Sequence, residues 1–283
     1  MQRKQLWTKI SGGLMSLFVL VNIISCGNIH HDDTGTVTSG WVSKKSGTTE
    51  DLRGIACKDT TWMAVGLGKD VIVSTNNGDT WMKKKKDTKK WLCDVVYNGT
   101  AWVASGIGYT VIASQDDGKT WASKTTIGES TEMNCKGVAC KGNTWIAVGT
   151  GGVILVSWNN GANWDNRNKG SDYSIREGVA YNDSTWIAVG QRGNVIVSTN
   201  DGSSWEMKTS GTIEHLFGVA CNGTTWVAVG DKGTVIVSAD NGKTWTTKSS
   251  GTGKKLFAVA CKGNTWVAVG ENGTVIVSTD NGN

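Results

Sequence analysis

Apolar and polar positions along this chain recur together, about every 40 residues. Six segments resembling Thr-Trp-Val-Ala-Val-Gly are centred on Trp62, Trp102, Trp145, Trp186, Trp226 and Trp266, at separations of 40, 43, 41, 40 and 40 residues. Nineteen residues after each of the first five stands a second tryptophan: Trp81, Trp121, Trp164, Trp205 and Trp245. Two series locked in this way mark one supersecondary unit copied along the chain.

Between the two series runs a β-branched segment, typified by Gly233-Thr234-Val235-Ile236-Val237-Ser238. Its density of Val and Ile suits a strand buried on both faces. Another short apolar run, such as Leu216 to Cys221, precedes each tryptophan of the first series. Each repeat therefore predicts about four strands in about 40 residues, the size of one propeller blade. The expected fold is all-β, a six-bladed β-propeller of four-stranded antiparallel blades over residues 39–283.

The hairpin ahead of each second-series tryptophan carries the pattern Ser-x-Asp-x-Gly-x-Thr-Trp, clearest at Ser114, Asp116, Gly118, Thr120, Trp121 and at Ser238, Asp240, Gly242, Thr244, Trp245. Asn76, Asn159 and Asn200 stand in for the Asp, and a sixth copy begins at Ser278, Asp280 and Gly282. Asp or Asn caps backbone amides, Gly supplies a positive φ, and Trp fills the gap between sheets. The pattern resembles the Asp-box (BNR-type) repeat of sialidase-like propellers, and the chain as a whole is similar to propellers of the photosystem II assembly and stability factor type. The resemblance implies a hairpin device and no ligand.

Nineteen residues beyond Trp266 falls just past Asn283, so the last repeat lacks its second tryptophan. Gly40-Trp41-Val42-Ser43 lies 40 residues before Trp81 without a box of its own. This spare segment is expected to be the fourth strand of the last blade, which removes an open sheet edge. The alternative is a seven-bladed protein of which this chain is a part.

Composition agrees with short strands and tight turns: 38 Gly, 15 Trp and no Pro. The first 25 residues combine Arg3, Lys4 and Lys9 with an apolar run from Leu14 to Ile24, too short for an ordinary membrane span, and read as an export signal. Ile23-Ile24-Ser25-Cys26 resembles a bacterial lipobox, which implies lipidation of Cys26, a tether over residues 26–38, and a place in the cell envelope, at the outer membrane where the cell has one. Removing the leader takes the 29 basic residues to 26 against 24 acidic ones, a balance of +2 that does not favour nucleic acid. Cys57, Cys140, Cys221 and Cys261 share one repeat position and Cys135 stands where other repeats have Leu, so core packing is expected of them; Cys93 has no such explanation.

Length varies only in the crossovers from one repeat to the next, the usual place for binding on a constant scaffold. Candidate partner-binding residues there are Lys84, Lys85, Trp91, Arg167, Tyr173 and Arg176, with Tyr109 and Arg192 in short turns of the same rim. Exposed aromatics with Arg are the composition of binding hot spots. The expected partner is a protein or glycan of the envelope, bound by a monomer. Sialidase-like hydrolysis is the alternative, but the resemblance would require an arginine triad and an Arg-Ile-Pro motif. The chain has no Pro, and beyond the leader only Arg53, Arg167, Arg176 and Arg192. No catalytic set, metal site or cofactor is expected. His30, His31, Asp32 and Asp33 fall in the tether, and His215 stands apart.

Overall fold

A computed structural model of the chain describes residues 43–124, 135–167 and 176–283. They form six antiparallel sheets, five of four strands and a sixth of three, with strands adjacent in chain order. The fifth is typical: Leu216–Asn222, Thr225–Gly230, Val235–Ser238 and Thr246–Lys248. Helix is confined, among the described residues, to three-residue 3-10 turns such as Asp231–Gly233. The first strands of successive sheets pack side by side, so the fold is propeller-like and those strands line its inside.

Each middle strand is sandwiched, which is why its sequence does not alternate. Thr225–Gly230 is buried throughout because both faces of its sheet meet a neighbouring sheet. Between the fourth and fifth sheets lie Ile187, Val189 and Val197 with Leu216, Trp226, Ile236 and Trp245. Between the fifth and sixth lie the residues 40 positions on: Val227, Val229 and Val237 with Leu256, Trp266 and Ile276. A cavity of about 90 Å³, bordered by Val227, Trp266, Val277 and Gly282, occupies the place that Trp245 fills in the preceding pair.

The outer faces of the first and sixth sheets differ from the rest. Leu52 is 40% exposed, and Val275 and Val277 about 60%, whereas the equivalent Leu216, Val235 and Val237 are buried. Among the described residues, the inner strands of the first and sixth sheets are not packed together as the other neighbours are. The segment Gly40-Trp41-Val42, expected to complete the last blade, lies outside the described residues.

The box turns repeat one hydrogen-bond pattern. Gly242 donates its amide to Ser238 Oγ (2.9 Å), and Ser238 Oγ donates to Asp240 (2.8 Å). Asp240 accepts from the amide and hydroxyl of Thr244, and the Trp245 indole donates to the Gly242 carbonyl. Asn200 accepts the Ser204 amide at 2.9 Å and the Ser198 hydroxyl at 3.0 Å, so an amide oxygen serves where the carboxylate is missing. Asn76 and Asn159 do likewise, and Asp280 accepts from Ser278.

Candidate functional site: the crossover rim

The two ends of the sheets are chemically different. At one rim the box turns sit beside the turns joining first and second strands, tied by bonds such as Asn241 amide to Thr224 carbonyl. At the other rim the crossovers meet the 3-10 turns, as where the Asp231 amide donates to the His215 carbonyl. The third residue of such a turn must be glycine: Gly233 has φ +70, and a Cβ there would stand 1.9 Å from the Thr252 carbonyl oxygen.

On this crossover rim Trp91 is 44% exposed. With Leu52, Lys69, Lys83 and Lys89 it borders a cavity of about 480 Å³. A second groove, of about 650 Å³, is bordered by Arg192, Met207, Ile213 and Glu214. Arg192 is exposed with φ +54, and Ile213 is 83% exposed.

Other predicted residues lie elsewhere. Lys84 and Lys85 belong to the outer strand Met82–Lys85, paired with Val71 and Asp70, and not to the crossover loop. Lys86 turns inward and donates to the Lys90 carbonyl; its burial lowers the ammonium pKa, with Asp70 opposing. Tyr109 packs against the core between the second and third sheets, and burial raises its phenol pKa. Arg167 is bound to Asp165 at 2.9 Å and stacks over Trp158 at 4.8 Å, which uses its charge and its plane internally. Arg176 pairs with Gly190 through its backbone, and Tyr173 lies outside the described residues. The box residues Asn76, Asp116, Asn159, Asn200, Asp240 and Asp280 occupy the opposite rim as turn formers.

A set of residues that the sequence reading passed over lines the inside near this rim. In every inner strand the pairing with the second strand slips at one residue: Arg53, Cys93, Lys136, Glu177, Phe217 and Phe257. Such bulges re-aim a side chain away from the regular ladder. The strands carrying them abut in order, a Cβ on Gly178 standing 3.0 Å from the Phe217 carbonyl oxygen and one on Gly218 standing 3.1 Å from that of Phe257. Lys136 Nζ meets Glu177 Oε1 at 2.5 Å, and the rings of Phe217 and Phe257 are 5.9 Å apart. The signal was present in the sequence: Phe217-Gly-Val-Ala-Cys and Phe257-Ala-Val-Ala-Cys repeat closely, while the bulge position carries Arg, Cys, Lys, Glu, Phe and Phe in turn.

The chemistry available here is recognition. Among the described residues no group of His, Cys, Asp and Glu could hold a metal ion, and the six cysteines are unbridged. Burial pushes the Cys93 thiol up to about 11, with Arg53 opposing, which is the reverse of an activated nucleophile. Arg53, Arg167 and Arg192 occupy three different sheets, with Arg167 turned to Trp158, so they do not converge on one carboxylate.

Residues 128–257 match the family described as the DUF6242 beta propeller domain. No curated protein matches the chain. Among solved structures, YCF48 from Cyanidioschyzon merolae is similar over 83% of this chain and 84% of its own, with 18% identity and a TM-score of 0.65. A structure of YCF48 bound to D1 peptide is similar over 83% and 80%, with 16% identity and a TM-score of 0.65. The computationally designed Ika8 protein is similar over 80% and 70%, with 14% identity and a TM-score of 0.68. At these identities the likeness concerns the fold.

Proposed function

We propose that this chain is a non-catalytic propeller that binds a protein partner of the cell envelope through its crossover rim, as a monomer held to the membrane by a lipid on Cys26. The observation that carries the reading is the exposed indole of Trp91 at a lysine-bordered cavity on the rim where the crossovers vary. A desolvatable aromatic surrounded by charge is the composition of an interface hot spot. The structure of YCF48 bound to D1 peptide supports a protein partner over a glycan, since a similar fold there carries a peptide.

The architecture belongs to the same proposal. The box pattern is that of Asp-box propellers, and the ring has six blades. The segment around Trp41 supplies the fourth strand of the sixth sheet, its indole entering the cavity beside Gly282.

The experiment is saturable binding of a soluble form beginning at Gly27 to an envelope extract, with and without prior protease digestion of that extract. Loss on digestion supports a protein partner; persistence points to a glycan. Cys26→Ser is expected to release the full chain from membranes, and an unchanged membrane fraction would defeat the anchor. Hydrolysis of fluorogenic sialosides by the purified chain would overturn the non-catalytic reading.

A further inference from the structure

The six bulge residues divide the inside of the crossover rim into unlike halves. Arg53, Cys93 and Lys136 make one half polar and cationic, and Phe217 and Phe257 make the other aromatic. Glu177 stands at the boundary between them. It is 3% exposed, yet only one of its carboxylate oxygens is used: Oε1 takes Lys136 Nζ, and Oε2 is buried with no hydrogen-bond partner. A buried acceptor on a charged group that goes unpaired is costly, and a donor brought to it recovers that cost.

We propose that this boundary is a recognition site for a cationic side chain, lysine or arginine, presented by the partner protein. The charged head donates to Glu177 Oε2, and the aliphatic stem lies along Phe217 and Phe257. Three features select this chemistry. An unpaired carboxylate oxygen calls for a donor and repels an acid, and a charge-assisted bond is stronger than one from a neutral hydroxyl. Two phenylalanine rings tilted by 55° beside it offer an apolar wall and a cation-attracting face. Lys and Arg are the side chains that join a long apolar stem to a charged head. Arg53 and Lys136 on the other half repel a second cation, so the incoming group is directed to the aromatic side. The site rests on the reading of this rim as the partner-binding face, and names what that face recognises.

The test uses fluorescently labelled tetralysine and tetraglutamate as probes, with anisotropy on the purified soluble chain. Tetralysine is expected to bind, and tetraglutamate is not. Glu177→Gln, which keeps the side-chain shape, and Phe217→Leu, which keeps most of its volume, should each weaken tetralysine binding by about tenfold or more. Trp91→Ala should leave it unchanged. A shorter stem, in an oligomer of diaminopropionate, should bind more weakly than tetralysine. Equal binding of the two charged probes, or binding indifferent to both Glu177→Gln and Phe217→Leu in variants that melt like the parent, overturns the site. So does a neutral oligosaccharide that binds at these residues in place of tetralysine. A chain that captures its protease-sensitive partner while ignoring tetralysine sinks this site alone; one that binds tetralysine with no partner lost on Trp91→Ala and Arg192→Glu sinks the rim reading alone.

Discussion

Lys44 donates a 2.7 Å hydrogen bond to Asp79, 35 residues on, and Lys248 makes the equivalent bond, 3.0 Å, to Asn283 across the same 35 residues. Lys248 ends the outer strand of the fifth sheet and Asn283 lies in the box turn of the sixth. Lys44 therefore stands before the first sheet as an outer-strand residue stands before the next sheet along. The following turn agrees: Ser46 and Thr48 make the bonds that Ser250 and Thr252 make in the last crossover. Trp41 precedes Lys44 by the three residues that separate Trp245 from Lys248.

The first prediction follows from that register. Removing residues 27–38 should leave the melting temperature unchanged, whereas beginning the chain after Ser46 should cost more than the roughly 3–5 kcal/mol of one buried tryptophan, or cause aggregation through the exposed edge. Thermal melts of the two truncations decide it. If both melt like the mature chain, the segment around Trp41 is not structural and the seven-bladed alternative gains.

Glycines of one type should differ by position. Gly233→Ala drives a Cβ to 1.9 Å from the Thr252 carbonyl oxygen, which a rigid turn cannot yield to. Gly263, with φ +55, has nothing within 4 Å of a Cβ, so alanine there meets only the left-handed backbone penalty of about 1–2 kcal/mol. Denaturant melts should show the first substitution far more damaging; equal effects would contradict the turn geometry.

Acid should act through the box carboxylates. Burial pushes the Asp116 carboxyl up, but hydrogen bonds from the Thr120 hydroxyl and amide and from Ser114 outweigh it and hold it at about 2, below its ordinary 3.8. Its folded-state value is depressed, so the stability it brings is present above pH 4 or so and is lost as pH falls toward 2. Asp116→Asn, the residue that three other boxes use, should flatten that part of the acid-melting curve. An unchanged acid limb would show that the carboxylate is not held in this way.

Much of the fold was legible because the repeats are local and close to identical. The spacing of Trp226 and Trp245 fixes a second strand and a box turn, and each recurs in every sheet. Exposure was less legible, since it depends on which neighbour arrives from elsewhere. The same kind of aromatic position is outward at Trp91 and packed at Tyr109, and the lysines from Lys83 to Lys85 read as a loop yet pair as a strand. The bulge residues escaped because the apolar pattern continues through them; only the slipped register sets Glu177 and Phe217 apart from the ladder.

The central claim is that the crossover rim, and not the box rim, binds the partner. The most direct measurement is quantitative capture from envelope extract by two variants of the soluble chain that keep the parent's melting temperature. One carries Trp91→Ala with Arg192→Glu on the crossover rim; the other carries Lys119→Glu with Lys243→Glu on the box rim. The account predicts that the first loses at least about tenfold in affinity, about 1.4 kcal/mol, while the second binds as the parent does. Loss confined to the box-rim variant would contradict it.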